Sequence, residues 1–135
     1  MEMKLEVVQV PVSDVDRARD FYSEQLGFNV DVDRVVPGGM RVVQLTPPGS
    51  ACSIVIGEGL TDMVPGTQRG IMMVIEDADA ARAELLAKGV GASDVDVQPW
   101  GRFVYFPDPD GNTWALQQLP EWSAAAATAP DSQTA

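Results

Sequence analysis

The chain has no histidine among its 135 residues, and that limits its chemistry before any spacing is considered. Imidazole is the commonest transition-metal ligand and the default acid–base group near neutral pH. A His–carboxylate facial triad, a histidine-containing zinc site and a Ser–His–Asp triad are therefore excluded. Acid–base work would fall to Glu, Asp, Tyr or Cys with tuned pKa values, and no convincing pair stands out. Cys52 is the single cysteine, so an intramolecular disulfide is impossible. It has no basic neighbour in sequence and reads as an inert, buried thiol. What remains is adhesive chemistry. Trp100, Phe103, Tyr105, Trp114, Met40, Met63 and Met72 supply flat or adaptable apolar area for a bulky ligand, with core packing as the commoner role for each. Arg102 could meet an anionic ligand, although pairing with a surface carboxylate is the commoner fate. The stretches Pro47-Pro48-Gly49-Ser50 and Asp108-Pro109-Asp110-Gly111-Asn112 read as turns without phosphate-loop spacing.

Composition narrows the setting. A hydrophobic share of 45% supports an ordinary core, and the length suits one domain. The apolar runs fall far short of the ~20 residues that span a bilayer. Met1-Glu2-Met3-Lys4 lacks a basic n-region followed by an apolar stretch, so no signal peptide is expected and a cytoplasmic location is. Twenty acidic against nine basic residues give a net charge of −11. That field repels nucleic acid and anionic lipid, both of which are bound through Lys and Arg. It draws cationic ligands modestly, and its plainest role is solubility.

The elements that must position these residues follow from periodicity. Leu5-Glu6-Val7-Val8-Gln9-Val10-Pro11-Val12 reads as a strand, with Val8, Val10 and Val12 on one face. Ser13-Asp14-Val15-Asp16 resembles a helix start, the hydroxyl of Ser13 capping and a carboxylate following three places later. Val15, Ala18, Tyr22 and Leu26 then recur at helical spacing until Gly27. Phe28-Asn29-Val30-Asp31-Val32-Asp33 alternates like a half-buried strand, and strands are expected over 40–45 and 51–56. Residues 57–70 read as a loop, after which the order returns. Ile71-Met72-Met73-Val74-Ile75 is a strand, 77–88 a helix stopped by Gly89, and strands are expected at 95–97, 102–106 and 113–119. Asp14-x-Asp16-x-Ala18-Arg19 recurs as Asp77-x-Asp79-x-Ala81-Arg82, both between a strand and a helix. The predicted fold class is α+β, with two tandem βαβββ modules over about 4–57 and 70–119, forming a domain over 1–120. The Ala-rich tail from 121 is expected to be frayed, or to form a short helix that packs through Trp122.

Two stretches carry a likeness. Val10-x-Val12-Ser13-Asp14-Val15-Asp16-Arg17-Ala18-Arg19-Asp20-Phe21-Tyr22 with Leu26-Gly27-Phe28, and Phe106-x-Asp108-Pro109-Asp110-Gly111-Asn112, resemble the vicinal oxygen chelate superfamily of glyoxalases, bleomycin-resistance proteins and extradiol dioxygenases. The resemblance implies that each module curls into half of a barrel, with helices outside and a central cavity within. Parity then turns Val7 and Gln9 toward the cavity, and likewise Met72 and Val74, while Ile71, Met73 and Ile75 face the second helix. Where metal-binding members place their ligands, the resemblance puts Val7, Ser53 or Val55, Gly70 and Ala115. Those side chains cannot hold a divalent cation, so no metal and no cofactor is expected.

A displaced site of Glu6, Gln9, Gln44, Glu58 or Gln117 oxygens would suit magnesium or calcium, but each residue has a commoner explanation. Gln9 and Gln117, turned inward, are expected to pair with each other, with backbone or with a ligand. The ligand-binding residues expected are Val7, Gln9, Ser53, Val55, Met72, Val74, Ala115, Gln117, Trp100 and Tyr105. The resemblance implies a metal-independent protein that binds and sequesters a small aromatic or cationic compound. The alternative is a lyase, isomerase or dioxygenase-like enzyme, metal-free or using a displaced site. By analogy with the fold, a homodimer is expected, with no nucleic-acid or membrane partner.

Overall fold

The computed structural model describes residues 1–121, which fall into two compact units. One unit holds Met1–Gly70 and Pro107–Thr113, and the other holds Ile71–Phe106 and the described chain from Trp114. The expectations for the tail and for Trp122 lie outside the described residues.

The first unit runs β1 (Val7–Gln9), α1 (Val15–Asp20), β2 (Asn29–Val35), β3 (Arg41–Thr46) and β4 (Ser53–Gly57). Its sheet has the order β1-β4-β3-β2, with β1 and β4 parallel and the other pairs antiparallel. A parallel pair needs a crossover, which α1 and the meander of β2 and β3 provide. Helix α1 packs on β4. Val15, Ala18, Phe21 and Tyr22 are buried with Val10, Val43, Leu45, Ile54 and Ile56, which form the core of this unit.

The second unit repeats the plan with β5 (Ile71–Ile75), α2 (Ala78–Ala87), β6 (Asp96–Gln98), β7 (Gly101–Pro107) and β8 (Thr113–Gln118). Its order is β5-β8-β7-β6, again with the first strand parallel to the last. The rings of Phe106 and Trp114 stack with centroids 6.3 Å apart over a core that includes Ala78, Leu85 and Val104. The molecule is thus an α+β fold of two βαβββ modules, as the sequence predicts.

The recurring tetrad has a physical purpose. Asp14 and Asp77 are both N-caps in extended conformation, and each carboxylate accepts from the backbone N–H three residues on, in Arg17 and Ala80. Asp16 and Asp79 sit in the two first turns, and each pairs with an arginine on the third strand of its module, Arg41 and Arg102 respectively. Arg102 therefore takes the bland role. The Ser13 cap does not form. The Ser13 hydroxyl instead donates to Asp110 at 2.5 Å, and Asp14, one residue closer to the helix, accepts from the Arg17 N–H.

Three other expectations shift. Helix α1 ends at Asp20 and continues as a wide turn over Phe21–Gln25, in which Leu26 N–H reaches back five residues to Phe21 O at 3.1 Å. Strand β2 carries a bulge: Val30 pairs with Leu45 and Val32 with Gln44, leaving Asp31 extra. Val30 and Val32 consequently lie on opposite faces, although their spacing put them on one. Strand β1 covers only Val7–Gln9 of the eight residues expected. At Gly89 the stop is as expected: φ is +78°, Val90 N–H bonds Leu85 O, and Gly89 N–H bonds Leu86 O.

Candidate functional site

The turn between β7 and β8 belongs to the first unit and is held there by a buried polar cluster. Tyr22 donates its hydroxyl to Asp108 at 2.6 Å, and both residues are buried. The same carboxylate accepts from Asn112 Nδ2 and from the backbone N–H groups of Asp110 and Asn112. Asn112 also donates to Pro11 O and accepts from Gln68 N–H, and it is fully buried. Every member has partners, which is the condition for a buried polar group to be tolerated. The cluster fixes structure and leaves nothing free to react.

The sheet faces turned away from the helices are different. In the second unit, Arg102 reaches Asp79 on α2, and Gln118 accepts from Ala78 N–H on α2, so the even positions of β7 and β8 lie on the helix side. The register then gathers Met72, Val74, Ala115, Gln117, Phe103 and Tyr105 on the other face. Met72 lies beside Ala115, and Val74 lies beside Gln117. Met72 is 53% exposed and Val74 is 60% exposed, unusual for apolar residues in mid-strand, while Ala115 and Phe103 are buried at the floor. Trp100, in the turn before β7, is 58% exposed.

Two hydrogen bonds set the polar edge of this face. Gln117 Nε2 donates to Trp100 O at 3.0 Å, which ties the turn to β8 and satisfies the expectation of a backbone partner. Tyr105 donates to Asp96 Oδ2 at 2.6 Å, and its ring stacks on Phe103 at 6.1 Å. That bond to Asp96, aided by burial and by the carboxylate charge, holds the phenol pKa above its ordinary value. Tyr105 is therefore a neutral donor near neutral pH, unsuited to act as a base. Asp96 on β6 joins this face without a motif in the sequence to mark it. The signal was its parity, which puts it and Gln98 on the face of Phe103.

In the first unit, Arg41 meets Asp16 of α1, and Asp33 lies 2.8 Å from Arg19 of the same helix, so these positions mark the helix side. The opposite face brings together Val7 beside Ser53, and Gln9 beside Val55 and Gln44. Ser53 is buried, and its Oγ lies 2.6 Å from Thr46 Oγ1, which donates to Asp31. Gln9 is exposed, and its backbone carbonyl accepts from Gln68 Nε2. Thus the ten residues expected to bind ligand divide between the open faces of two sheets, apart from Trp100 in its turn. Phe103 is added to them.

The positions to which the resemblance assigns metal ligands can be tested against this geometry. Val7 and Ala115 have no donor, Gly70 has no side chain, and either choice for the remaining position leaves at most the Ser53 hydroxyl, already bonded to Thr46. These residues do not fit a divalent cation. Among the described residues no three His, Cys, Asp or Glu side chains converge as a metal cage. Cys52 is a free, half-buried thiol whose Sγ approaches Ser53 O at 3.6 Å. On the helix side of the second unit lies an open groove of about 640 Å³ that includes Asp77, Asp79, Glu84, Arg102 and Gln118. Asp77, Asp79, Arg102 and Gln118 there hold the α2 cap, ion pair and backbone.

Comparison with known proteins agrees with this architecture. The structure is similar to that of TnmS3, an antibiotic binding protein from Streptomyces sp. CB03234, with a TM-score of 0.81 and 37% identity, covering 88% of this chain and 98% of that one. It is similar to a glyoxalase/bleomycin resistance protein/dioxygenase superfamily member from Sphaerobacter thermophilus DSM 20745, with a TM-score of 0.77, 31% identity, and coverage of 86% and 97%. The uncharacterized protein YetH of Bacillus subtilis is 26% identical over 87% of this chain and all of its own length. The profile of the Glyoxalase/Bleomycin resistance protein/Dioxygenase superfamily matches residues 4–116, and the chain belongs to that superfamily.

Proposed function

We propose that this protein binds a small, flat, largely apolar molecule on its open sheet faces, through side chains alone and without a bound metal. The observation that carries the reading is the face built from Met72, Val74, Trp100 and Tyr105, where exposed apolar and aromatic surface lies over a floor of Ala115 and Phe103. Such a surface suits an aromatic ring: Met adapts its shape, Trp and Tyr supply flat area, and a few fixed polar groups orient the guest. Gln117, Asp96 and the backbone beside Trp100 are the polar groups available. The antibiotic-binding activity of TnmS3 supports a binding role here. The net charge of −11 favours a neutral or cationic guest over an anionic one. A homodimer and a cytoplasmic location belong to the same reading, the latter fitting a lone free thiol.

The exposed indole of Trp100 provides the test. Titration with planar aromatic antibiotics and with bleomycin, followed by tryptophan fluorescence, is expected to quench a component that Trp100→Phe removes. Met72→Asp is expected to weaken binding roughly tenfold while leaving the fold intact, because it puts a charge where the ring would lie. A saturable ligand whose affinity ignores both substitutions would place the site elsewhere.

A further inference from the structure

We propose that the open face of the first unit's sheet holds the acceptor oxygens of a flat guest, a carboxylate above all, with Arg34 as the residue that selects them. This rests on the binding reading above and deepens it by naming the polar chemistry that this face recognises. Arg34 pairs with Val42 and Val42 with Gly57, so Arg34 stands on the side away from Asp33 and Arg41, which face α1. The chain has nine basic side chains. Seven of them lie within 4.0 Å of a carboxylate, and an eighth, Arg69, donates to Gly111 O. Among the described residues Arg34 alone has no partner, in a chain with 20 acidic residues to choose from. The glutamines divide in the same way. Gln25, Gln68, Gln98, Gln117 and Gln118 are all engaged, whereas the side-chain amides of Gln9 and Gln44 bond nothing. Gln44 pairs with Val32 and Val55, and Val55 with Gln9, so both unspent amides share the face of Arg34.

Between these donors lies an apolar bed. Val32, Val42 and Val55 are half-buried on the same face. Leu60 folds over Gly57 at its margin, where an added Cβ would stand 2.5 Å from Leu60 Cδ1. A guanidinium presents a planar fork of N–H donors that meets a carboxylate at two points, and each amide adds two more donors. Asp31, the carboxylate that meets Thr46 of this face, already accepts from Asn29 and Thr46 and does not reach Arg34. The overall charge of −11 opposes the approach of a free anion, but salt screens that field beyond about 8–10 Å, so donors in contact decide which group is held.

Nuclear magnetic resonance titration of the isotope-labelled full chain tests this with three probes that share one ring system: 2-naphthoate, 2-naphthylmethanol and 2-naphthylmethylammonium. The naphthoate is expected to shift the Arg34 Nε and the Gln9 and Gln44 Nε2 signals saturably, and to bind about tenfold tighter than the alcohol, with the ammonium weakest. Arg34→Gln is expected to weaken naphthoate about tenfold and leave the alcohol unchanged, with Arg34→Lys between the two, affinities being read from the backbone amides of Val42 and Val55. Arg69→Gln changes the net charge equally and is expected to have no effect. Naphthoate bound no tighter than the alcohol, or weakened equally by the Arg34 and Arg69 substitutions, would overturn this inference and leave the aromatic-binding reading standing. Acetate that shifts the Arg34 signal at the same concentrations as naphthoate would also overturn it, since the valine bed would then contribute nothing. If no probe shifts these signals the inference falls, and the titration of planar antibiotics against Trp100 decides the binding reading separately.

Discussion

Tyr22 and Asp108 lie 86 positions apart and share a buried hydrogen bond of 2.6 Å. Tyr22→Phe removes the donor yet leaves the carboxylate with three others, so a loss of about 1–3 kcal/mol in denaturant unfolding is expected, and not collapse. Asp33 is a gentler case. The Arg41 hydrogen bond holds its pKa below the ordinary carboxylate value, burial opposes this, and the charges of Arg41 and Arg19 add to the lowering. A depressed folded pKa contributes stability above the unfolded value of about 3.9 that is lost as pH falls through the lowered one. Asp33→Asn should therefore cost about 0.5–1 kcal/mol at pH 7, with the gap to wild type closing in acid. These partnerships were hidden in the sequence. Tyr22 reads there as core, and nothing in its spacing announces an acceptor 86 residues on. The open-face residues were legible, since parity alone places Met72 and Val74 opposite Ile71, Met73 and Ile75.

At the scale of elements, the duplicated tetrad is the most informative local signal. It encodes a cap and an ion pair to the third strand in both modules. Asp14→Ala and Asp77→Ala are each expected to cost about 1 kcal/mol in thermal unfolding, and nearly the same in both, because the caps are equivalent. Gly101 is a second sensitive point, where the chain leaves the Trp100 turn. Its φ is +146°, and an added Cβ would stand 2.6 Å from Gln118 O. Gly101→Ala should destabilise by more than about 1 kcal/mol and shift the Trp100 fluorescence with it. Element order was readable because both modules repeat it. The bulge in β2 was not, because Phe28-Asn29-Val30-Asp31-Val32-Asp33 alternates without a break, and an extra residue in pairing leaves no mark on alternation. The wide turn after α1 is equally silent, since helical spacing of Val15, Ala18, Tyr22 and Leu26 survives it.

For the whole molecule, membership of the superfamily describes architecture, and the side chains at the positions that the resemblance assigns to metal ligands do not fit a divalent cation. Val7, Gly70 and Ala115 carry no donor, and the Ser53 hydroxyl is engaged by Thr46. What the two modules display instead is apolar and aromatic surface with a few oriented amides and one neutral phenol. In the proposed function, binding needs no metal. Isothermal titration of a planar aromatic antibiotic that quenches Trp100, into chelator-treated protein, tests it directly. The expected result is one saturable site whose affinity is the same with excess chelator and with added magnesium, calcium, manganese or zinc. A ligand bound only after stoichiometric divalent cation is restored would contradict the account.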